Sequence, residues 1–386
     1  MRVALVGPAW PHRGGIAHHT AALARALVDA GHDAHVLGYR RLYPERFFPG
    51  VSQFERVRPA WAVHAERLAD PLRPDRNLRL AARIRALGPD AVAFQWWHPF
   101  FALCALSALG AGRAAGARTT LLVHNVRPHE GVPLAGPLVE AAGRLADGVV
   151  VQSAAERDRL PRTLRSHAVV VHHPPYAQFT GEAAPTPAAG RPGGGADGAL
   201  RLLFFGLIRP YKGLDDLLEA VALARARGSA VELVVRGECY GEEAALRARV
   251  ARPDLRGAVD LRTGYVPEPE VAGLFAAADA VALPYREATG SGVAALALAF
   301  GRPVVGTRVP GLTEVVGEGG GGFLSPVGDA AALAEVLERM WRVRTGPAEG
   351  WAAVEAQARR AAAGPGWGAL VEAVTRGSGT ARRRGG

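Results

Sequence analysis

Lysine, cysteine and long apolar runs are the scarce features of this 386-residue chain. Cys104 and Cys239 are the only cysteines. Their spacing matches no zinc or redox motif and a disulfide framework needs more of them, so both are expected as buried small hydrophobes. No stretch approaches the ~18 uncharged apolar residues of a membrane span, and MRVALVGPAW at the start runs into a strand-and-glycine pattern instead of a signal peptide. A cytoplasmic protein is the expectation. Among 46 basic residues Lys212 is the single lysine, in a chain rich in alanine, glycine and arginine, so a bias towards GC-rich codons is the simplest account of the rest. Chance retention explains Lys212 as readily as a role does, although a compact ammonium can do work that a planar guanidinium cannot.

What is present points to two domains. The length exceeds the roughly 250–300 residues at which one hydrophobic core stops growing. A formal charge of +10 favours anionic partners: nucleotide phosphates, an anionic membrane face or nucleic acid. The arginines are spread through helical stretches and form no aromatic-lined strips, which weighs against nucleic acid.

Short apolar runs at 3–6, 33–38, 90–94, 119–123, 148–152 and 168–171 read as strands buried on both faces. Between them lie helical patterns such as 16–30, with Leu23 and Leu27 on one face and Gly31 as a stop. This alternation predicts a doubly wound α/β domain over 1–180. Periodicity disappears over 181–199, GEAAPTPAAGRPGGGADGA, as in a linker. It restarts with strands at 201–205, 231–235, 259–262, 280–283 and 303–306, giving a second Rossmann-like domain over 200–348. The stretch 349–386 is expected to supply closing helices, with one at 351–376, and a basic tail, packing back on the first domain. Two such sheets predict a central cleft at the carboxyl ends of their strands.

Four loops carry candidate chemistry. In GPAWPHRGGIAHHT, Gly14 and Gly15 precede a helix whose amides could approach a phosphate or sugar, and a tight turn is the equal alternative. The spacing is not G-x-G-x-x-G and the second strand ends in LGYR with no acidic residue for a ribose, which disfavours a nicotinamide cofactor. In FFGLIRPYKGLDDLLEA, Arg209 and Lys212 stand at a strand's carboxyl end, where two cations could neutralise a diphosphate, or remain solvated turn residues. Thr289, Gly290, Ser291 and Gly292, with Val293 behind them, form a second anion-suited helix start. His124 closes a strand beside Asn125 and is open to a hydrogen-bonding or charge-stabilising role. His98, His129 and His173 read by default as structural.

The paired domains, the RGG loop, the VHN strand end, the R-x-x-K-G turn and the AFGRPVV segment together resemble the retaining glycosyltransferases of family 4, of the GT-B fold. The likeness spans nearly the whole chain and is strongest in FFGLIRPYKGL and SGVAALALAFGRPVVGTRVPGLTE. It implies a nucleotide-sugar donor, with Gly14 and Gly15 near its phosphates and sugar, Arg209 and Lys212 on the diphosphate, and His124 near the reacting carbon. It implies no metal and no cofactor, since no Asp-x-Asp metal pair is present and the two cations take the place of a divalent ion. Two departures stand out. Leu207 occupies the position where the family's arginine follows the glycine, with Arg209 two residues later. The paired-glutamate motif is replaced by Ala288 and Leu296, leaving the neighbouring Glu287 to substitute, and Glu314 matches a further acidic position.

On the acceptor side, GYRRLYPERFFPG interleaves Arg40, Arg41 and Arg46 with Tyr39, Tyr43, Phe47 and Phe48. This would suit a glycan or lipid-linked acceptor at an anionic membrane surface, with peripheral attachment to the inner face of the plasma membrane. A solvated loop with a few core aromatics is the equal alternative. A sugar-nucleotide epimerase or phosphorylase of the same fold, or a nonenzymatic nucleotide-sugar-binding protein, are the competing functions.

Overall fold

The computed structural model describes residues 1–44, 52–55, 58–127, 132, 134–174, 176, 198–241, 243–317, 321–363 and 366–376. Most of the 181–199 linker, Arg46, Phe47, Phe48, His129 and the basic tail lie outside them. The chain divides into two compact units, one within Met1–Pro174 and Pro365–Gly386, the other within Pro175–Gly364.

The first unit is built on strands β1 (Arg2–Val6), β2 (Asp33–Tyr39), β3 (Ala65–Ala69), β4 (Ala91–Trp96), β5 (Arg118–Val123), β6 (Gly148–Val151) and β7 (Ala168–Val170). They form one sheet in the order β3-β2-β1-β4-β5-β6-β7, every pair parallel. Parallel strands are covered by helices on both faces, so the apolar runs are nearly unbroken. Along β1, Ala4 and Val6 enter one core while Val3 and Leu5 enter the other, as the two-residue repeat of a strand demands. The helix Gly15–Asp29 lays Leu23 and Leu27 into that second core. It stops at Gly31, whose φ of 81° accompanies bonds from Gly31 N–H to Val28 O and from His32 N–H to Leu27 O, a Schellman ending.

The second unit repeats the plan with β8 (Leu200–Phe205), β9 (Val231–Gly237), β10 (Val259–Thr263), β11 (Ala280–Leu283), β12 (Val304–Thr307) and β13 (Gly322–Ser325). The order is β10-β9-β8-β11-β12-β13, again all parallel. In each sheet the chain order reverses once, between β1 and β4 and between β8 and β11. Open α/β sheets bind ligands at that reversal, outside the carboxyl ends of the strands.

Two strands go beyond the sequence expectation. β3 (AERLA) carries Glu66 and Arg67 on a sheet edge, where charged residues replace an apolar run, and Glu66 pairs with Arg83 at 2.7 Å. β13 is another edge strand, four residues long, after a glycine-rich stretch. The helix expected over 351–376 is two, Ala348–Ala362 and Gly366–Thr375, with Gly364 and Pro365 between them; proline cannot continue a helix. Leu370 and Val374 of the latter join the core that holds Leu23 and Leu27. Of the cysteines, Cys104 is buried, which pushes its thiol up to about 12, whereas Cys239 is only partly buried.

Candidate functional site

In the second unit, two loops meet at the reversal between β8 and β11. β8 is followed by Gly206, with φ 100°, where an added Cβ would touch Val293 at 3.8 Å. Arg209 then lies with its guanidinium carbon 5.0 Å from the Tyr240 ring centre, a cation–π contact. Pro210–Lys212 make one 3-10 turn, closed by Gly213 at φ 70°. A Cβ on Gly213 would come within 1.9 Å of the Pro284 carbonyl oxygen, so only glycine lets this turn seat against the end of β11.

The turn is tied to the second loop by polar contacts. Lys212 Nζ donates to Tyr285 Oη at 2.8 Å and stands 4.1 Å from that ring's centre. Tyr285 Oη lies 3.3 Å from Ser291 Oγ, which accepts from the Ala294 amide at 3.1 Å as N-cap of the helix Gly292–Ala299. Burial opposes the charge on Lys212, but the Tyr285 and Tyr211 oxygens and the Tyr285 hydrogen bond outweigh it, and its pKa lies above the ordinary lysine value. The Arg286 amide donates to Tyr211 O, and its guanidinium holds Asp216 through two bonds of 2.9 and 2.8 Å. Arg209, Lys212 and the loop Thr289, Gly290, Ser291, Gly292 and Val293 are therefore brought together in one unit, with Tyr285 as the hinge pin. The sequence reading missed Tyr285, whose signal was its place two residues beyond β11.

The departures from the family pattern acquire a structural reason. Leu296, at the second glutamate position, is buried in an apolar cluster with Phe275, Phe300 and Ala288. No carboxylate could stand there without a partner. Glu287 is exposed beside buried Ala288 and Thr289. Under this loop, Gly311 bonds Ala288 O at 2.9 Å, and a Cβ there would lie 2.4 Å from the Gly290 amide.

In the first unit, Gly14 caps the helix Gly15–Asp29 with φ 108°, a conformation that a side chain strains, and no atom lies within 4 Å of a Cβ at either Gly14 or Gly15. His124, after β5, has both ring nitrogens engaged. Nε2 meets Gln95 Oε1 in a short contact and Nδ1 meets Gln152 Oε1 at 3.3 Å. Burial, followed by the neighbouring His173, lowers its pKa to about 3. Both ring nitrogens therefore face uncharged amides, and burial with no counter-charge beside it disfavours the imidazolium. His173 packs in the same group of rings. It faces His19 at 5.5 Å between ring centres, and His19 faces His124 at 4.6 Å. His98 does serve structure, accepting the Phe100 amide at 3.0 Å as a cap.

Of the basic and aromatic segment from Tyr39 onward, the described residues include three with partners in the fold. Tyr39 is fully buried against Trp97 and Phe101, Tyr43 accepts from Trp97 Nε1 at 3.0 Å, and Arg41 grips Asp70 with bonds of 3.1 and 3.0 Å. Arg40 is exposed. Among the described residues no helix is long and apolar enough to cross a membrane.

Residues 13–175 match the family described as Glycosyltransferase Family 4, and residues 199–342 match Glycosyl transferases group 1. The chain belongs to these glycosyltransferases. It is 34% identical over 148 residues to the amylovoran biosynthesis glycosyltransferase AmsK of Erwinia amylovora, covering 36% of each chain. It is 31% identical over 151 residues to a GDP-mannose:glycolipid 4-beta-D-mannosyltransferase of Xanthomonas campestris, covering 38% of this chain and 42% of that one. These alignments thus span well under half the length of the curated relatives. The fold is shared with Anabaena HepE, solved with UDP and glucose, at TM-score 0.70 and 15% identity over 97% of this chain and 98% of that one. Both parallel-sheet units are accordingly those of a GT-B glycosyltransferase.

Proposed function

We propose that the protein transfers a sugar from a nucleotide-sugar donor to a glycan or lipid-linked acceptor, with retention of anomeric configuration and without a metal ion. The observation that carries this reading is the Lys212–Tyr285–Ser291 chain at the sheet reversal of the second unit, with Arg209 beside it. Developing negative charge on a departing diphosphate is stabilised by prearranged cations and by amides at a helix start, and that loop supplies both. Arg209 and Lys212 then do the electrostatic work that a divalent cation does elsewhere. Gly14 and Gly15 offer bare backbone to the donor, Glu287 is the carboxylate available near the nucleoside, and His124 meets the sugar as a neutral, fixed imidazole.

Support for the donor class comes from HepE, solved with UDP and glucose, and for the acceptor class from the Xanthomonas relative, named for a glycolipid. A thermal-shift screen of nucleoside diphosphates and their sugars against wild type and Lys212→Ala tests the proposal. A bound ligand raises the melting temperature by mass action, by about 2.7 kcal/mol of stability at a hundredfold excess over Kd. Stabilisation by one nucleotide sugar, lost in the variant, is expected; no shift with any nucleotide would refute it. Turnover unchanged by EDTA and a product of unchanged anomeric configuration by NMR complete the test.

A further inference from the structure

The imidazoles of His19 and His124 are joined through two glutamines into a closed circuit. Gln95, the last but one residue of β4, presents Oε1 to His124 Nε2 and Nε2 to His19 Nδ1 at 3.1 Å. Gln152, directly after β6, presents Oε1 to His124 Nδ1 at 3.3 Å and Nε2 to His19 Nε2 at 2.9 Å. All four ring nitrogens therefore face an amide, and each amide faces both rings. Gln95 is fully buried and is the one amide in an otherwise apolar strand; Gly7, at the end of β1, makes room for it, since a Cβ there would lie 2.8 Å from Gln95 Cγ.

The circuit imposes a proton count. Each amide has one oxygen, which needs an N–H, and one NH2, which needs a lone pair. Two oxygens thus call for two ring N–H groups in total, whichever way the amides are turned. With both oxygens towards His124, that ring would carry both protons and His19 none, an imidazolium beside an imidazolate. Turning one amide over removes this separation and leaves two neutral rings. If Gln95 turns, both histidines carry the proton on Nδ1; if Gln152 turns, both carry it on Nε2. A mixed pair would set N–H against NH2 or a lone pair against a carbonyl oxygen.

We infer that Gln95, Gln152 and His19 are positioning residues that hold His124 neutral, in one orientation, and in the same tautomer as His19. A third ring N–H has no oxygen in the circuit to accept it; burial, the largest cause, lowers both histidines against a smaller upward pull from the amide hydrogen bonds. The other titratable group acting on both rings is His173, itself lowered to about 4 by burial. Its imidazole Nδ1 bonds Pro174 O at 2.8 Å, outside the circuit. The consequence for catalysis rests on the reading of His124 proposed above; the circuit itself does not.

The experiment is a long-range 1H–15N spectrum of the full chain labelled with 15N-histidine, from about pH 7.5 to about pH 5, spanning the ordinary histidine pKa. The His19→Gln and His124→Gln variants assign the two rings. Matching neutral tautomers throughout are expected. Opposite tautomers, or an imidazolium at either ring in the folded protein at about pH 6, would overturn the circuit. Gln152→Glu puts a second oxygen where the NH2 stood, so the count rises to three ring N–H groups and an imidazolium at one of the two rings within that range is the expected result; an unchanged spectrum would count against the inference. The same variant should give the pH profile of kcat an acid limb that wild type lacks, with KM for the donor less affected. A profile that does not move, with the spectrum altered, would remove the positioning role. If wild type transfers no sugar at all, the transferase reading fails while the spectra still decide the circuit. Should Gln152→Glu not fold, the wild-type tautomers alone decide it.

Discussion

The two units share a topology and divide the chemistry unequally. All 12 histidines fall in the first 174 residues and the single lysine falls in the second unit. At the reversal of its sheet, the first unit buries neutral imidazoles between uncharged amides, whereas the second gathers cations against tyrosine rings. The contrast teaches that one open α/β plan can build either a charge-free, shape-fixed surface or a cationic one, depending on the side chains placed at the carboxyl ends of a few strands.

The largest expected effect is acid lability confined to the first unit. Burial lowers His12 and His18 to about 4, His124 to about 3 and His173 to about 4, and holds His19 well below its ordinary value, against 6.5 for a free imidazole. The unfolded chain therefore binds more protons than the folded one below about pH 6.5, so stability falls as pH drops from there towards the folded values. Each fully buried imidazole contributes about 1.4 kcal/mol per pH unit in that window. His12 and His19, both 1% exposed, should dominate a loss of several kcal/mol by about pH 5. Hydrogen exchange, corrected for its intrinsic pH dependence, should show β1 and β4 opening well before β8 and β11. Simultaneous opening of both sheets would break the comparison.

Next in size is Lys212→Ala, expected to lower kcat by about a hundredfold, roughly 2.7 kcal/mol, as the loss of one charge-stabilising donor does. Lys212→Arg should not restore it, because a planar fork cannot take the place of an ammonium 4.1 Å from the Tyr285 ring centre. Steady-state kinetics that found either variant near wild type would take the second unit's cation out of the site. Gly14→Ala should destabilise the first unit by about 1–2 kcal/mol through its left-handed φ, read in a urea melt. Gly15→Ala should be close to neutral, having no neighbour in reach. Ser291→Ala should cost about 1 kcal/mol for a lost N-cap, with a weakened donor Kd as the signature that the cap also aligns Tyr285.

Much of the fold was legible because parallel strands buried on both faces advertise themselves as apolar runs, as VALV and TTLLV do. β3 and β13 were not, since an edge strand has one partner and can carry charge or glycine. In the candidate site, Arg209, Lys212 and the 289–293 loop were readable from residue type and spacing. Tyr285 and the two glutamines were not, because a tyrosine or an amide has many uses and only its neighbours choose among them. Tyr39 and Arg41 show the same limit: basic and aromatic side chains in sequence order read equally as a membrane-facing segment or as a loop with core aromatics, and only the fold shows Tyr39 buried and Arg41 on a carboxylate.

The sequence by itself determined the doubly wound plan twice over, the family, and the second unit's cations, because periodicity and charge are properties of the chain read in one dimension. Only the tertiary structure decided that His124 is buried and doubly bonded, that His19 faces the same two amides, and that Leu296 is core. Those outcomes depend on desolvation and on the pairing of donors with acceptors from separate strands, which exist only once β1, β4, β5 and β6 lie side by side.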